Sequence, residues 1–156
     1  MLAAQSSRGL CAVFLGDSQE ELKMNLKAQF PKTSLIEGGF EMNKLRSIIR
    51  ALVTPPFSLP VNTPIDIQGT DFQRQVWKIV RQIPFGSTTS YTCIAQKIGA
   101  PRSIRAVASA VAANSLAIVI PCHRVIRKDG SLCGYRWGVK RKKKLLNLES
   151  LWQKAL

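Results

Sequence analysis

Histidine is the scarcest chemical resource in this 156-residue chain: there is one, His123. The four cysteines, Cys11, Cys93, Cys122 and Cys133, form no CxxC pair, and a single histidine cannot complete a ligand set with them. A structural zinc site is therefore not expected, and neither a metal nor a cofactor is called for. No apolar run approaches the length of a membrane span. The short apolar stretch near the start lacks a basic leader, so no signal peptide is expected. Reduced thiols and a cytoplasmic location follow as the default. Internal repeats and low-complexity tracts are absent as well.

Acid is the second scarcity, and it is unevenly spread. Residues 1–70 carry 7 basic and 6 acidic side chains, whereas residues 71–156 carry 16 basic and 3 acidic ones. A near-neutral front followed by a back half of net charge +13 is the footprint of a polyanion-binding region. An apolar fraction of 46% is enough to build a core, so the chain reads as folded.

The front reads as a small α/β unit. Leu10–Gly16 is a short strand, and Ser18–Glu21 has capping-box spacing before a helix through Leu22, Leu26 and Phe30. A second helix is predicted through Met42, Leu45, Ile49 and Leu52. Four prolines between Thr54 and Pro64 mark a connector. The division expected is an N-terminal α/β domain over residues 1–66 and a mainly helical one over 67–156. Past the connector, Thr70 caps a helix whose stripe is Phe72, Val76, Ile79, Val80 and Ile83. Ser90 caps a shorter one with Tyr91, Ile94, Ala95 and Ile98 inward, closed by Gly99. A third follows with Ile104, Val107, Ala108, Val111 and Ala112 in phase. Two short helices across a tight turn form a helix-turn-helix candidate. Arg102, Arg105, Ala106 and Ser109 give the second of them an outer face of arginines and small residues with no acid, suited to a nucleic-acid groove. Leu116–Ile120 reads as a buried strand, Arg127–Gly138 as a hairpin or loop, and residues 140–156 as a basic terminal helix whose first turns oppose the helix dipole and suggest a nearby anion.

Between these elements Ile120–Ile126, "IPCHRVI", sets a thiol, an imidazole and a guanidinium in a row inside apolar sequence. A free thiol is mostly protonated at neutral pH and needs a base or a positive field to become a good nucleophile. His123 and Arg124 are the adjacent candidates. Neighbouring side chains on extended backbone point to opposite faces, so either the chain turns at Pro121 or a water bridges Cys122 and His123. A catalytic histidine also needs an orienting acid. Of Asp71, Asp129 and Glu149, the last sits in the most apolar setting and is the one nominated.

"IPCHRVI", "RAVASAVAANSLAIV", "GYRWG" and "LLNLE" together resemble the O6-alkylguanine-DNA alkyltransferases, including the C-terminal alkyltransferase domain of bacterial Ada. The likeness is dense from Gly69 to Glu149 and loose before that. It implies a ribonuclease H-like N-terminal subdomain, short of its first strand here, and a winged helix-turn-helix-like motif that enters the minor groove of DNA. It implies irreversible transfer of a methyl or alkyl group from O6-alkylguanine, and from O4-alkylthymine where accepted, to Cys122 in a single turnover after base flipping. His123 would deprotonate Cys122 through water and Glu149 would orient His123. Tyr91 would give a proton to the departing guanine, and Arg105 would enter the duplex. Asn114 would hold the cysteine loop, Tyr135 would wall the guanine pocket with Arg136 following, and Arg124 would support the loop. The expected partner is double-stranded DNA carrying O6-alkylguanine, bound by a monomer. No counterpart of Ada's zinc-binding regulatory domain is seen, so phosphotriester repair and transcriptional activation are not expected.

Two rival functions remain at this level. A non-catalytic sensor of alkylguanine would have the nucleophile replaced, and Cys122 is present. A cysteine hydrolase would turn over, and it leaves the basic helix-turn-helix pattern unexplained.

Overall fold

The computed structural model describes residues 1–38, 42–55, 57–60 and 62–155. Pro56 and Val61 of the connector, and the terminal Leu156, lie outside them. Strands β1 (Leu2–Ser6) and β2 (Gly9–Phe14) form an antiparallel hairpin. β2 is buried along its whole length because later chain covers its free edge. Leu10 N donates to Pro64 O and Asp66 N to Leu10 O, both at 2.9 Å. Val13 N donates to Ser115 O at 2.8 Å and Ala117 N to Val13 O at 3.0 Å. A lone hairpin is marginal in water; here the edge bonds tie it to the segment that leads into Cys122.

Helix α1 (Gln19–Gln29) starts where Ser18 accepts from Glu21 N, and it buries Leu22 and Leu26. In α2 (Met42–Val53) Ile48 and Leu52 are the deep residues, so Ile48 rather than the expected Ile49 faces inward most fully. α3 (Asp71–Arg81) opens on a reciprocal capping box between Thr70 and Gln73 and buries Val76, Trp77 and Val80. Trp77 was not foreseen as core. Its indole N–H donates to Ala110 O at 2.8 Å, which lets a polar ring sit at depth.

Strand β3 (Thr89–Ser90) runs straight into α4 (Tyr91–Lys97), capped by Ser90 accepting from Cys93 N. Gly99, at φ +74°, makes the turn toward α5 (Ile104–Ala112). α5 buries Val107, Ala110 and Val111 against α3 and α4. Ile104 and Ala112 lie on the exposed side, correcting the expected stripe: the helix turns its Val107–Val111 edge inward.

Leu116–Ile120 is buried but is not a strand. Ile118 takes φ +68°, Val119 N bonds to Ala117 O, and Ile120 N bonds back to Leu116 O. Leu116 makes a single parallel bridge to Val13, but the chain then folds on itself, so the pairing does not extend into a strand, whatever its β-branched content. β4 (Val125–Ile126) pairs in parallel with β3. Residues 127–138 form a loop around the Asp129–Gly130 turn, with Asp129 Oδ1 accepting from Ser131 N at 2.9 Å. α6 (Val139–Lys154) closes the fold and buries Lys142 and Glu149. The described residues thus build a mixed α/β architecture of two small sheets and six α-helices around one continuous core.

Candidate active site and nucleic-acid interface

The chain does turn at Pro121. Cys122 N bonds to Ile120 O at 2.7 Å, and Cys122–Arg124 form one turn of 3₁₀ helix, so successive side chains no longer alternate across a plane. Asn114, just past α5, organises the approach. Its Oδ1 accepts from Leu116 N at 2.8 Å. Its Nδ2 faces Leu116 O at 3.3 Å, Ile120 O at 3.0 Å and the Cys122 sulfur at 3.1 Å. These bonds replace the ladder that the Leu116–Ile120 run would otherwise have sought.

His123 is fully buried, with Nε2 2.7 Å from Glu149 Oε1. An ionised carboxylate only accepts, so Nε2 carries the proton and Nδ1 keeps its lone pair. Nδ1 has no hydrogen-bond partner among the described residues. Burial lowers the His123 pKa, against the opposing pull of Glu149, so the ring is neutral at pH 7. Burial alone would raise Glu149, but hydrogen bonds and charges from His123 and Arg124 overcome it and hold the carboxyl down at about 2. Arg124 is turned into this carboxylate, with Nε at 2.9 Å and Nη2 at 2.9 Å, while its Nη1 donates to Ile83 O at 2.8 Å. It lies over the Phe85 ring at 5.6 Å. Arg124 therefore braces the turn through Glu149 and Ile83 O.

Lys142, one of the bases in the first turns of α6, supplies a positive field that favours the Cys122 thiolate. The residue is fully buried and its ammonium donates to Val125 O at 2.6 Å and Cys133 O at 3.3 Å. One signal was available: Lys142 and Glu149 are seven residues apart, two turns along one helix face. Burial pushes the Cys122 thiol up to about 11, with Asn114, Lys142 and Tyr135 working against that rise. The Tyr135 hydroxyl is buried without a well-formed hydrogen bond, and burial followed by the nearby Cys122 raises its pKa well above the usual phenol value. Tyr91, first residue of α4, is held protonated by burial and by Cys133, whose thiol lies 3.4 Å from its hydroxyl. Cys133 thus has a structural partner that the sequence did not reveal.

Cys122 is only 3% exposed. A cavity of about 340 Å³ runs behind its turn, lined by Phe57, Phe85, Ile118, Pro121 and Arg124 among others, but not by the sulfur. Cys122, His123, Glu149, Arg124, Asn114, Tyr135 and Tyr91 are gathered in one cluster, and Arg136 touches it through Asn114 O at 3.3 Å. Arg102, Arg105, Ala106 and Ser109 stand apart from it, exposed along α5 and the turn before it.

The family model for the DNA-binding domain of 6-O-methylguanine DNA methyltransferase matches residues 71–151. The chain is 48% identical over 150 residues to the bifunctional transcriptional activator/DNA repair enzyme Ada of Escherichia coli, covering 96% of this chain and 42% of that protein. It therefore spans about two fifths of the length of Ada. It is 39% identical to the inducible methylated-DNA–protein-cysteine methyltransferase of Bacillus subtilis, over 94% of this chain and 82% of that protein. The solved Mycobacterium tuberculosis OGT in complex with DNA superposes with a TM-score of 0.70 at 34% identity, covering 96% of this chain and 85% of that one. Sequence and fold agree that the chain belongs to the 6-O-methylguanine DNA methyltransferase family.

Proposed function

We propose that this protein repairs O6-alkylguanine in double-stranded DNA by moving the alkyl group irreversibly onto its own Cys122. The observation that carries the reading is the buried pair His123 Nε2–Glu149 with a free lone pair on His123 Nδ1, in the same cluster as a cysteine held by Asn114. The Cys122 proton passes to Nδ1 through a bridging water. A sulfur–carbon bond forms as the bond from that carbon to O6 breaks, and Tyr91 gives its proton to the departing guanine. The product is a thioether with no leaving group, so each molecule acts once. No cofactor takes part.

The reacting carbon cannot be approached inside a stacked duplex, so the nucleotide is everted first. A winged helix-turn-helix formed by α4 and α5 enters the minor groove, where Arg105 fills the stack and Arg102, Ala106 and Ser109 follow the backbone. With the sulfur nearly covered, the loop carrying Tyr135 yields to admit the base. O4-alkylthymine is a second substrate. Residues 1–66 form a ribonuclease H-like domain and residues 67–156 the reactive, DNA-binding one, acting as a monomer in the cytoplasm where thiols stay reduced. The naming of relatives as DNA repair and cysteine methyltransferase proteins supports this over a non-catalytic sensor.

Intact-mass measurement after mixing with O6-methylguanine duplex tests it. One methyl per chain on Cys122, none on Cys122→Ala and no further product are expected. Turnover beyond one equivalent sinks the single-use mechanism, and tight binding without transfer favours the sensor.

A further inference from the structure

One guanidinium joins four parts of the fold at the edge of the site. Arg136 sits in the loop between β4 and α6. Its Nη1 donates to the carbonyls of Ala113 and Asn114, each at 3.3 Å, at the C-terminal end of α5. Its Nη2 donates to Gln29 Oε1 at 2.7 Å, at the end of α1. The same group lies 5.2 Å from the ring centre of Phe14, the last residue of β2, and 5.9 Å from that of Trp137. A cation suits a helix C-terminus, where unpaired carbonyls concentrate negative charge.

Asn114 is therefore gripped on both sides by the first thirty residues. Arg136, anchored on Phe14 and Gln29, holds its carbonyl and the one before it. On the other side β2 takes the backbone of Ser115 and Ala117 at Val13, and Ser115 Oγ donates to Cys11 O at 3.3 Å. Between these two grips the Asn114 side chain reaches the Cys122 sulfur. A planar guanidinium that bonds two carbonyls through Nη1 and Gln29 through Nη2, beside an aromatic ring, has little freedom, which lysine could not reproduce.

We propose that Arg136 is a positioning residue that makes the N-terminal α/β unit a brace for the nucleophile: it fixes Asn114, and Asn114 fixes and favours the ionised form of Cys122. This rests on the alkyl-transfer reading above. The charged and titratable groups around the sulfur are His123 and Arg124 on its own turn, Cys133, Tyr135 and Arg136 in the loop, Lys142 and Glu149 of α6, and Tyr91 of α4. Removing Arg136 leaves the others in place.

The test uses the full chain with Arg136→Ala, Arg136→Lys and Gln29→Ala. Two readouts are taken: single-turnover methyl transfer at saturating O6-methylguanine duplex, and the pH midpoint of iodoacetamide modification at Cys122, followed by peptide mass. A uniform change in access alters the rate of modification but leaves its pH midpoint in place. Arg136→Ala is expected to transfer about tenfold more slowly, as a displaced reacting group does, with the midpoint moved to higher pH. Arg136→Lys, which keeps the charge and loses the fork, shifts both in the same direction. Wild-type rate and midpoint in Arg136→Ala overturn the proposal, and so does full rescue by lysine, which would leave only a charge effect. Should Arg136→Ala fail to fold, Gln29→Ala decides: transfer about two- to threefold slower supports the brace, and a wild-type rate overturns it. If wild-type protein moves no methyl group, the functional reading falls, while the iodoacetamide midpoints still judge the brace.

Discussion

Glu149→Gln tests the centre of the site without altering its shape. The carboxylate takes bonds from His123 Nε2 at 2.7 Å, Arg124 Nε and Nη2 at 2.9 Å, and Gly86 N at 3.1 Å. An amide offers one accepting oxygen and sets an NH₂ against the remaining donors. Arg124 would keep only Ile83 O and the face of Phe85. Removing one member of a buried ion pair costs about 3–5 kcal/mol, and those surviving contacts place this case near the lower end. Proton linkage leads to a similar figure. The gap between a folded value of about 2 and the 4.5 of a free carboxyl corresponds to roughly 3 kcal/mol. Because the folded pKa is the depressed one, this stability is complete above pH 4.5 and is lost as pH falls toward 2. For a chain of this size the melting temperature should drop by about 6–12 °C at pH 7. Thermal melts of wild type and variant across pH 7 to 3 provide the check, and the gap should narrow below pH 4.5. Methyl transfer should slow by about a hundredfold, since His123 loses the group that fixes its proton on Nε2. A variant that melts with wild type at pH 7, or a gap that ignores pH, would refute the assignment of Glu149 as the anion holding both His123 and Arg124.

Lys142→Met removes the buried ammonium that works against the high Cys122 pKa, so iodoacetamide modification of Cys122 at pH 7.5 should slow by about tenfold and its pH midpoint should rise. Tyr91→Phe should bind damaged duplex as wild type does while slowing transfer by about 10- to 100-fold in rapid-quench assays, because the departing base loses its proton donor. Arg105→Ala should lose repair of duplex far more than reaction with a free O6-alkylguanine base, since Arg105 lies on the exposed face of α5 away from the sulfur; equal losses would contradict its proposed place in the stack.

Helix caps were legible from spacing alone, whereas burial and turns that depend on particular side-chain bonds were not. Ser18, Thr70 and Ser90 each accept from the backbone N–H three residues on, as their spacing predicted. Trp77 went unnoticed as core because its burial depends on a carbonyl 33 residues away. Leu116–Ile120 was misread because strand propensity describes a residue on a pleated surface, whereas Asn114 supplies local bonds that stabilise a turn through Ile118 at φ +68°. In the site, the thiol and imidazole lie within two residues, and the scarcity of acid singled out Glu149. Lys142 looks no different from Lys140, Lys143 or Lys144 in composition. Only its phase on α6 buries it, and phase becomes visible once Glu149 is known to point inward.

The resting site is built to be slow toward the wrong partners. A thiol at about 11 is ionised to roughly one part in ten thousand at pH 7, hundreds of times less than a free cysteine. On the proposed single-use mechanism, this protects a sulfur that is not regenerated. It also constrains the chemistry. Passing the proton from such a thiol to an imidazole whose pKa is itself lowered by burial is uphill. Every group that favours the thiolate lowers that cost directly. The value near 11 already includes the help of Asn114, Lys142 and Tyr135, so on the proposed mechanism the everted base must complete a site that is poised but not ionised.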